Sequence, residues 1–128
     1  MKLGCIHMKE RQSGVLMHIS SLPGKYGIGS LGQEAFDFVD FLVRTEQRYW
    51  QILPLGTTSY GDSPYQSFSA FAGNTHFIDL GILIKDGLLM EQDLEGLHFG
   101  DKPSEVDYAT VFQMRRPLLE KAVSKMKA

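Results

Sequence analysis

The chain has 128 residues, the size of one modest domain. With 43% hydrophobic and 22% charged residues it is not a disordered polyelectrolyte. A net charge of −2 and scattered Lys and Arg argue against a polyanion-binding surface, which needs clustered positive charge.

Cys5 is the sole cysteine, so no internal disulfide can form. Residues Met1 to Arg11 are polar and lack the apolar core of a signal peptide. No run approaches the roughly 20 apolar residues that span a bilayer. Cytoplasm is the expected location, with neither nucleic acid nor membrane as partner.

Gly14 to Ser20 (GVLMHIS) reads as a short buried strand. A loop with a Pro23-Gly24 turn follows. Ser30 then reads as a helix N-cap, with Gln33 completing a capping box. From Leu31 the residues Ala35, Phe38, Val39 and Leu42 recur at helical spacing, with Phe36 and Phe41 widening the stripe. The helix is expected to stop near Thr45. Tyr49 to Leu53 (YWQIL) is a second strand, ended by Pro54. Strand, helix, strand is the βαβ pattern, which implies parallel strands and a right-handed crossover.

The segment Leu55 to Asn74 is almost free of charge and rich in Ser, Gly, Tyr and Phe. A loop this long in a compact domain is usually functional. Short helical pieces are expected around Leu80–Met90, then a helix from about Asp107 that Pro117 kinks or splits. Lys121, Lys125 and Lys127 read as its solvated face. Two parallel strands cannot form a stable sheet alone, so the pattern is the opening of a larger α/β fold.

Gly27-Ile-Gly29-Ser-Leu-Gly32 matches a dinucleotide-binding glycine pattern. That pattern needs the glycines directly after the strand and an acidic residue after the second strand. Ser21 to Tyr26 intervene and no such acid follows Pro54, so these glycines are read as turn formers.

Sugars present flat, weakly apolar faces and rims of hydroxyls, so their sites combine aromatic platforms with short polar side chains. Tyr60 and Tyr65 can supply platforms, and Asp62, Ser63, Gln66 and Asn74 polar contacts, with Pro64 stiffening the loop. The same residues also suit a structural loop that satisfies its own backbone, and composition leaves both readings open. Phe68 and Phe71 are expected in the core. His18 lies near the C-terminal end of the first strand, where α/β enzymes place their sites, although most such histidines are core residues. His7, His76 and His98 are isolated, and Ser20-Ser21 lacks a hydrolase elbow, so no metal site or catalytic set is expected.

Three blocks together resemble a known family: SGVLMHISSLPGKYGIG (13–29), YWQILPLG (49–56) and YGDSPYQSFSAFAGN (60–74). They look like the opening strand, the second strand and the following loop of amylomaltases, the 4-α-glucanotransferases of glycoside hydrolase family 77. The resemblance covers about Arg11 to Leu89 and continues weakly from Val106 to Tyr108. It implies the N-terminal portion of a (β/α)₈ TIM barrel: the first two βα units and part of an inserted helical segment. On this reading residues 1–12 are an N-terminal extension, 55–74 a substrate-binding loop and 105–128 a helical segment of an incomplete catalytic barrel.

The implied activity is retaining transfer of an α-1,4-glucan segment between maltodextrins, or to glucose, without a cofactor. A complete barrel needs about 250 residues, so the two carboxylates would lie downstream and the chain alone is expected to be inactive. A non-catalytic glucan-binding module is the alternative. Carried over by position, Tyr65 would stack on the sugar at the cleavage point, and Asp62 and Ser63 would line neighbouring subsites. Tyr60 and Tyr108 match tyrosines of a separate glucan-binding groove in some members. Three positions depart from the family pattern: Glu46 for glycine, Ser30 for aspartate, and Thr75-His76 for a proline-aromatic pair.

Overall fold

The computed structural model describes residues 11–58, 63–67, 69, 71–102 and 104–127. Tyr60, Asp62 and Phe68 lie outside the described residues, as does most of the expected 1–12 extension.

Strand β1 (Gly14–Leu16) pairs in parallel with β2 (Tyr49–Gln51), in the register Gly14 to Tyr49, Val15 to Trp50 and Leu16 to Gln51. Helix α1 (Gln33–Arg44) forms the crossover, so the βαβ order read from the sequence is the observed one. Both strands are shorter than the apolar runs that contain them. The chain leaves the sheet at Met17, whose N–H bonds the Gln51 carbonyl, and enters a 3₁₀ turn at Ile19–Ser21. His18 therefore sits just beyond β1 rather than on it. The register puts Val15 and Trp50 on one face, where the Trp50 ring meets Phe38 of α1 at 4.9 Å and its Nε1 donates to Met17 O. The opposite face is open, with Leu16 58% and Tyr49 53% exposed.

The start of α1 differs from expectation. Gly32 is the N-cap and gives no side-chain bond. Ser30 is buried, and its hydroxyl donates instead to Asp79 Oδ2 at 2.6 Å. A long-range carboxylate outcompetes the local backbone for that hydroxyl. Asp79 itself caps α2 (Leu80–Lys85) by accepting from Ile82 N at 2.8 Å. The carboxylate also crowds Gly32, where an added β-carbon would lie 2.4 Å from Oδ2.

The end of α1 closes as a Schellman motif: Gln47 N donates to Leu42 O and Glu46 N to Val43 O. Glu46 takes φ of 57°, the left-handed conformation that the departure from glycine makes costly. Glu46→Gly is expected to raise unfolding free energy by about 1 kcal/mol, measured by urea denaturation. A loss of stability would refute this assignment.

Beyond α2 come a 3₁₀ turn at Glu91–Leu94 and helix α3 (Tyr108–Met126). Asp107 caps α3 by accepting from Thr110 N. Of the two expected effects of Pro117, a split does not occur, because the helix runs through it to Met126. Loss of one backbone donor does not outweigh the packing of the α3 face.

That face reads Val111, Arg115, Leu118, Ala122, all buried. Val111 joins Ile19, Leu22, Ile28, Ala35 and Phe77 in one core. Leu118 and Ala122 join Leu80 and Leu89 in a second. Arg115 lies between them, 1% exposed. The wide apolar stripe of α1 is only partly covered: Ala35 and Leu42 are buried, while Phe36, Val39 and Phe41 stay exposed. A two-stranded sheet has too little surface to cover it.

Candidate functional site

The charge-poor ribbon leaves β2 and returns to its own start. Asn74 N donates to Leu55 O at 2.8 Å, and antiparallel bridges join Gly56 to Gly73 and Thr58 to Ser67. At its described tip Gln66 N bonds Ser63 O, closing a four-residue turn with Pro64 at the second position. Ser63 Oγ accepts from Tyr65 N at 3.4 Å. Further along, Ser69 Oγ accepts from Phe71 N and Ala72 N, while Ser67 Oγ donates to Ser69 O. Short hydroxyls thus satisfy the described backbone of the ribbon locally.

Two aromatics stand out from this frame. Tyr65 is 72% exposed and Phe71 99%. Phe71 was expected in the core. It follows Ser69, whose hydroxyl accepts from the Phe71 N–H, and among the described residues its ring is left in solvent.

The other site candidates fall into different places. Asn74 is buried at the root of the ribbon, where Oδ1 accepts from His76 N and caps the turn Thr75–Phe77. His18 packs edge-on against Phe77, ring centroids 5.3 Å apart, and its Nδ1 is buried without a hydrogen-bond partner. Asn74 and His18 therefore flank the same turn. Tyr108 begins α3 and packs against the first core. It also lines an open cleft of about 920 Å³, whose walls include Ser20, Lys25, His98 and Lys102 and none of the described ribbon. Sequence reading missed this cleft, because its walls are loops brought together by tertiary packing. The glycine pattern has a packing role there: Gly27, at φ of 78°, lies against Phe99, so close that a β-carbon would stand 2.3 Å from the Phe99 carbonyl oxygen.

Burial holds the His18 imidazole below its ordinary value of 6.5. A histidine kept neutral by the fold binds fewer protons than the unfolded chain does just below that value. Its contribution to stability is therefore present above 6.5 and is lost as pH falls toward the folded-state value. Thermal melts are expected to show a midpoint that drops as pH falls below the ordinary histidine value of 6.5. His18→Phe keeps a ring against Phe77 and should flatten that part of the profile. An identical slope in the variant would remove His18 from the account.

Among the described residues no group of three or more His, Cys, Asp or Glu could hold a metal ion. No described helix is long and apolar enough to cross a membrane.

The glycoside hydrolase 77 family model, described as 4-alpha-glucanotransferase, matches residues 17–128. The chain belongs to this family. It is 78% identical over 118 residues to the 4-alpha-glucanotransferase of Streptococcus pneumoniae, covering 92% of this chain and 23% of that protein. The 4-alpha-glucanotransferase of Thermus thermophilus is 50% identical over 112 residues, 88% of this chain and 21% of that protein. Among solved structures, the amylomaltase from Streptococcus agalactiae in complex with acarbose superposes with a TM-score of 0.87 at 62% identity. That match covers 90% of this chain and 23% of the amylomaltase chain. The chain thus spans about a quarter of the length of these 4-alpha-glucanotransferases, as the resemblance of its opening strands implied.

Proposed function

We propose that the polypeptide carrying these residues is a 4-α-glucanotransferase that breaks an α-1,4 bond in one maltodextrin and passes the glucan to the 4-hydroxyl of another glucan or of glucose. The observation that carries this reading is the 78% identity over 118 residues to an enzyme of that name. The ribbon supports it, because a braced, charge-poor loop presenting Tyr65 suits the flat face of a pyranose, with Ser63 beside it for hydroxyl contacts. Asp62 and Tyr60 belong to the same stretch and are proposed as further glucan contacts, with Asn74 and His18 holding the root of the ribbon. Tyr108 is proposed to face a second stretch of glucan in the cleft that it lines.

The parallel βαβ unit is proposed as the first part of a (β/α)₈ barrel, with residues 105–128 in an inserted helical segment. Retaining glycosyl transfer needs two carboxyl groups about 5 Å apart, one attacking the anomeric carbon and one protonating the leaving oxygen. We assign these to barrel strands beyond the quarter of the relatives' length that this chain matches. The sugar acceptor resolves the glycosyl-enzyme, so the chemistry calls on no cofactor, and the proposed setting is the cytoplasm. The test is maltotriose disproportionation followed by glucose release. The full-length polypeptide is expected to produce glucose and longer maltodextrins, and the 128-residue chain alone neither. No transfer by the full-length protein, or transfer by these residues alone, would contradict the reading.

A further inference from the structure

Arg115 occupies a core position on α3, between Val111 and Leu118, where every neighbour on the buried face is apolar or small. A buried guanidinium is a costly way to fill a helix face, since desolvation opposes the charge, so it is retained only where its hydrogen bonds are needed. Arg115 is not even fully satisfied, because its Nε is buried without a partner. Desolvation lowers its pKa to about 10, the nearby Asp79 opposing the shift, so it stays charged at neutral pH. What the residue does achieve is geometric. Nη1 donates to Tyr26 O at 3.3 Å and Nη2 donates to Ile78 O. These carbonyls belong to segments far apart in the chain, and a planar fork of fixed donors suits the simultaneous hold.

Each carbonyl sits next to a piece of the candidate site. Ile78 ends the Thr75–Phe77 turn, which Asn74 caps at the root of the ribbon. Phe77 contacts His18 and accepts at its carbonyl from Leu31 N at 2.9 Å. Tyr26 lies in the loop between β1 and α1. We propose that Arg115 is a positioning residue for glucan binding: it locks the exit of the ribbon to the loop after β1, and so fixes where Ser63 and Tyr65 meet the sugar. This rests on the glucanotransferase reading.

The experiment uses the full-length polypeptide, with Arg115→Lys as the conservative variant and Leu118→Ala as a control that weakens the neighbouring core without touching the clamp. Each is assayed with maltotriose below its melting range, and deuterium uptake is followed at the amides of Asn74, Phe77 and Ile78. Lysine keeps the charge but cannot hold two carbonyls in a fixed fork. Arg115→Lys is expected to raise KM by about fivefold or more with kcat within about twofold, while Leu118→Ala leaves KM unchanged. Uptake at the three amides should rise in Arg115→Lys and not in the control. Unchanged uptake overturns the clamp. Raised uptake with unchanged KM, or an equal rise of KM in Leu118→Ala, overturns the positioning role. Absence of transfer by the unsubstituted protein overturns the functional reading and with it that role, and the exchange data alone then decide the clamp.

Discussion

Tyr65→Ala in the full-length polypeptide is expected to lower kcat/KM for maltotriose by roughly 30-fold, equivalent to about 2 kcal/mol of transition-state stabilisation. The size follows from the area of one aromatic ring that leaves water against a sugar face, plus the alignment of that face for reaction. Tyr65 is 72% exposed, so its side chain contributes little to the packing of these 128 residues. Stability of the variant should therefore change by no more than about 0.5 kcal/mol, which separates a binding loss from a folding loss. Tyr65→Phe keeps the ring and should recover most of the activity. Kinetics unchanged in Tyr65→Ala would demote the residue to scaffold.

Arg115→Met is expected to be the most destabilising single change considered for this chain. Methionine approximates the length of the aliphatic stem, but it leaves the part-buried carbonyls of Tyr26 and Ile78 without their guanidinium donor. Each such group costs about 1–3 kcal/mol, and relief of the desolvated charge offsets part of that, for a net loss of about 3 kcal/mol. Urea denaturation of the full-length polypeptide measures it. Wild-type stability in Arg115→Met would show that the two carbonyls find other donors and that the clamp is dispensable.

Much of the architecture was legible because local and global signals agree. The apolar runs at Gly14 and Tyr49 with a helical stripe between them gave the parallel pair and its crossover. Asp107 announced the start of α3 by its capping position. The left-handed demand at Glu46 was visible through the family resemblance, in which a glycine is common at that position near the helix C-terminus. The family was legible because the block 60–74 is long and compositionally unusual.

Most of the misses share a physical origin: tertiary contacts override local preference. Ser30 has the chemistry of an N-cap, yet a carboxylate 49 residues away takes its hydroxyl. Arg115 carries no local signal of its role, and it is held by two carbonyls that no sequence spacing connects. Pro117 carries a strong local signal to interrupt α3, and the two cores along that helix keep it continuous. Phe71 looks like core by composition but stands on a loop whose serines brace its backbone from within. The candidate site was legible as a segment, whereas the division of labour inside it was not. Tyr65 and Ser63 sit at the exposed turn, Asn74 and His18 at the buried root, and Tyr108 in another cleft.

A crystal structure of the full-length polypeptide soaked with a malto-oligosaccharide decides whether the ribbon that follows β2 holds sugar. A glucose ring is expected to lie flat over Tyr65, with a hydroxyl of the same oligosaccharide within hydrogen-bonding reach of Ser63. A bound oligosaccharide whose rings all lie beyond contact with residues 63–67 would contradict it.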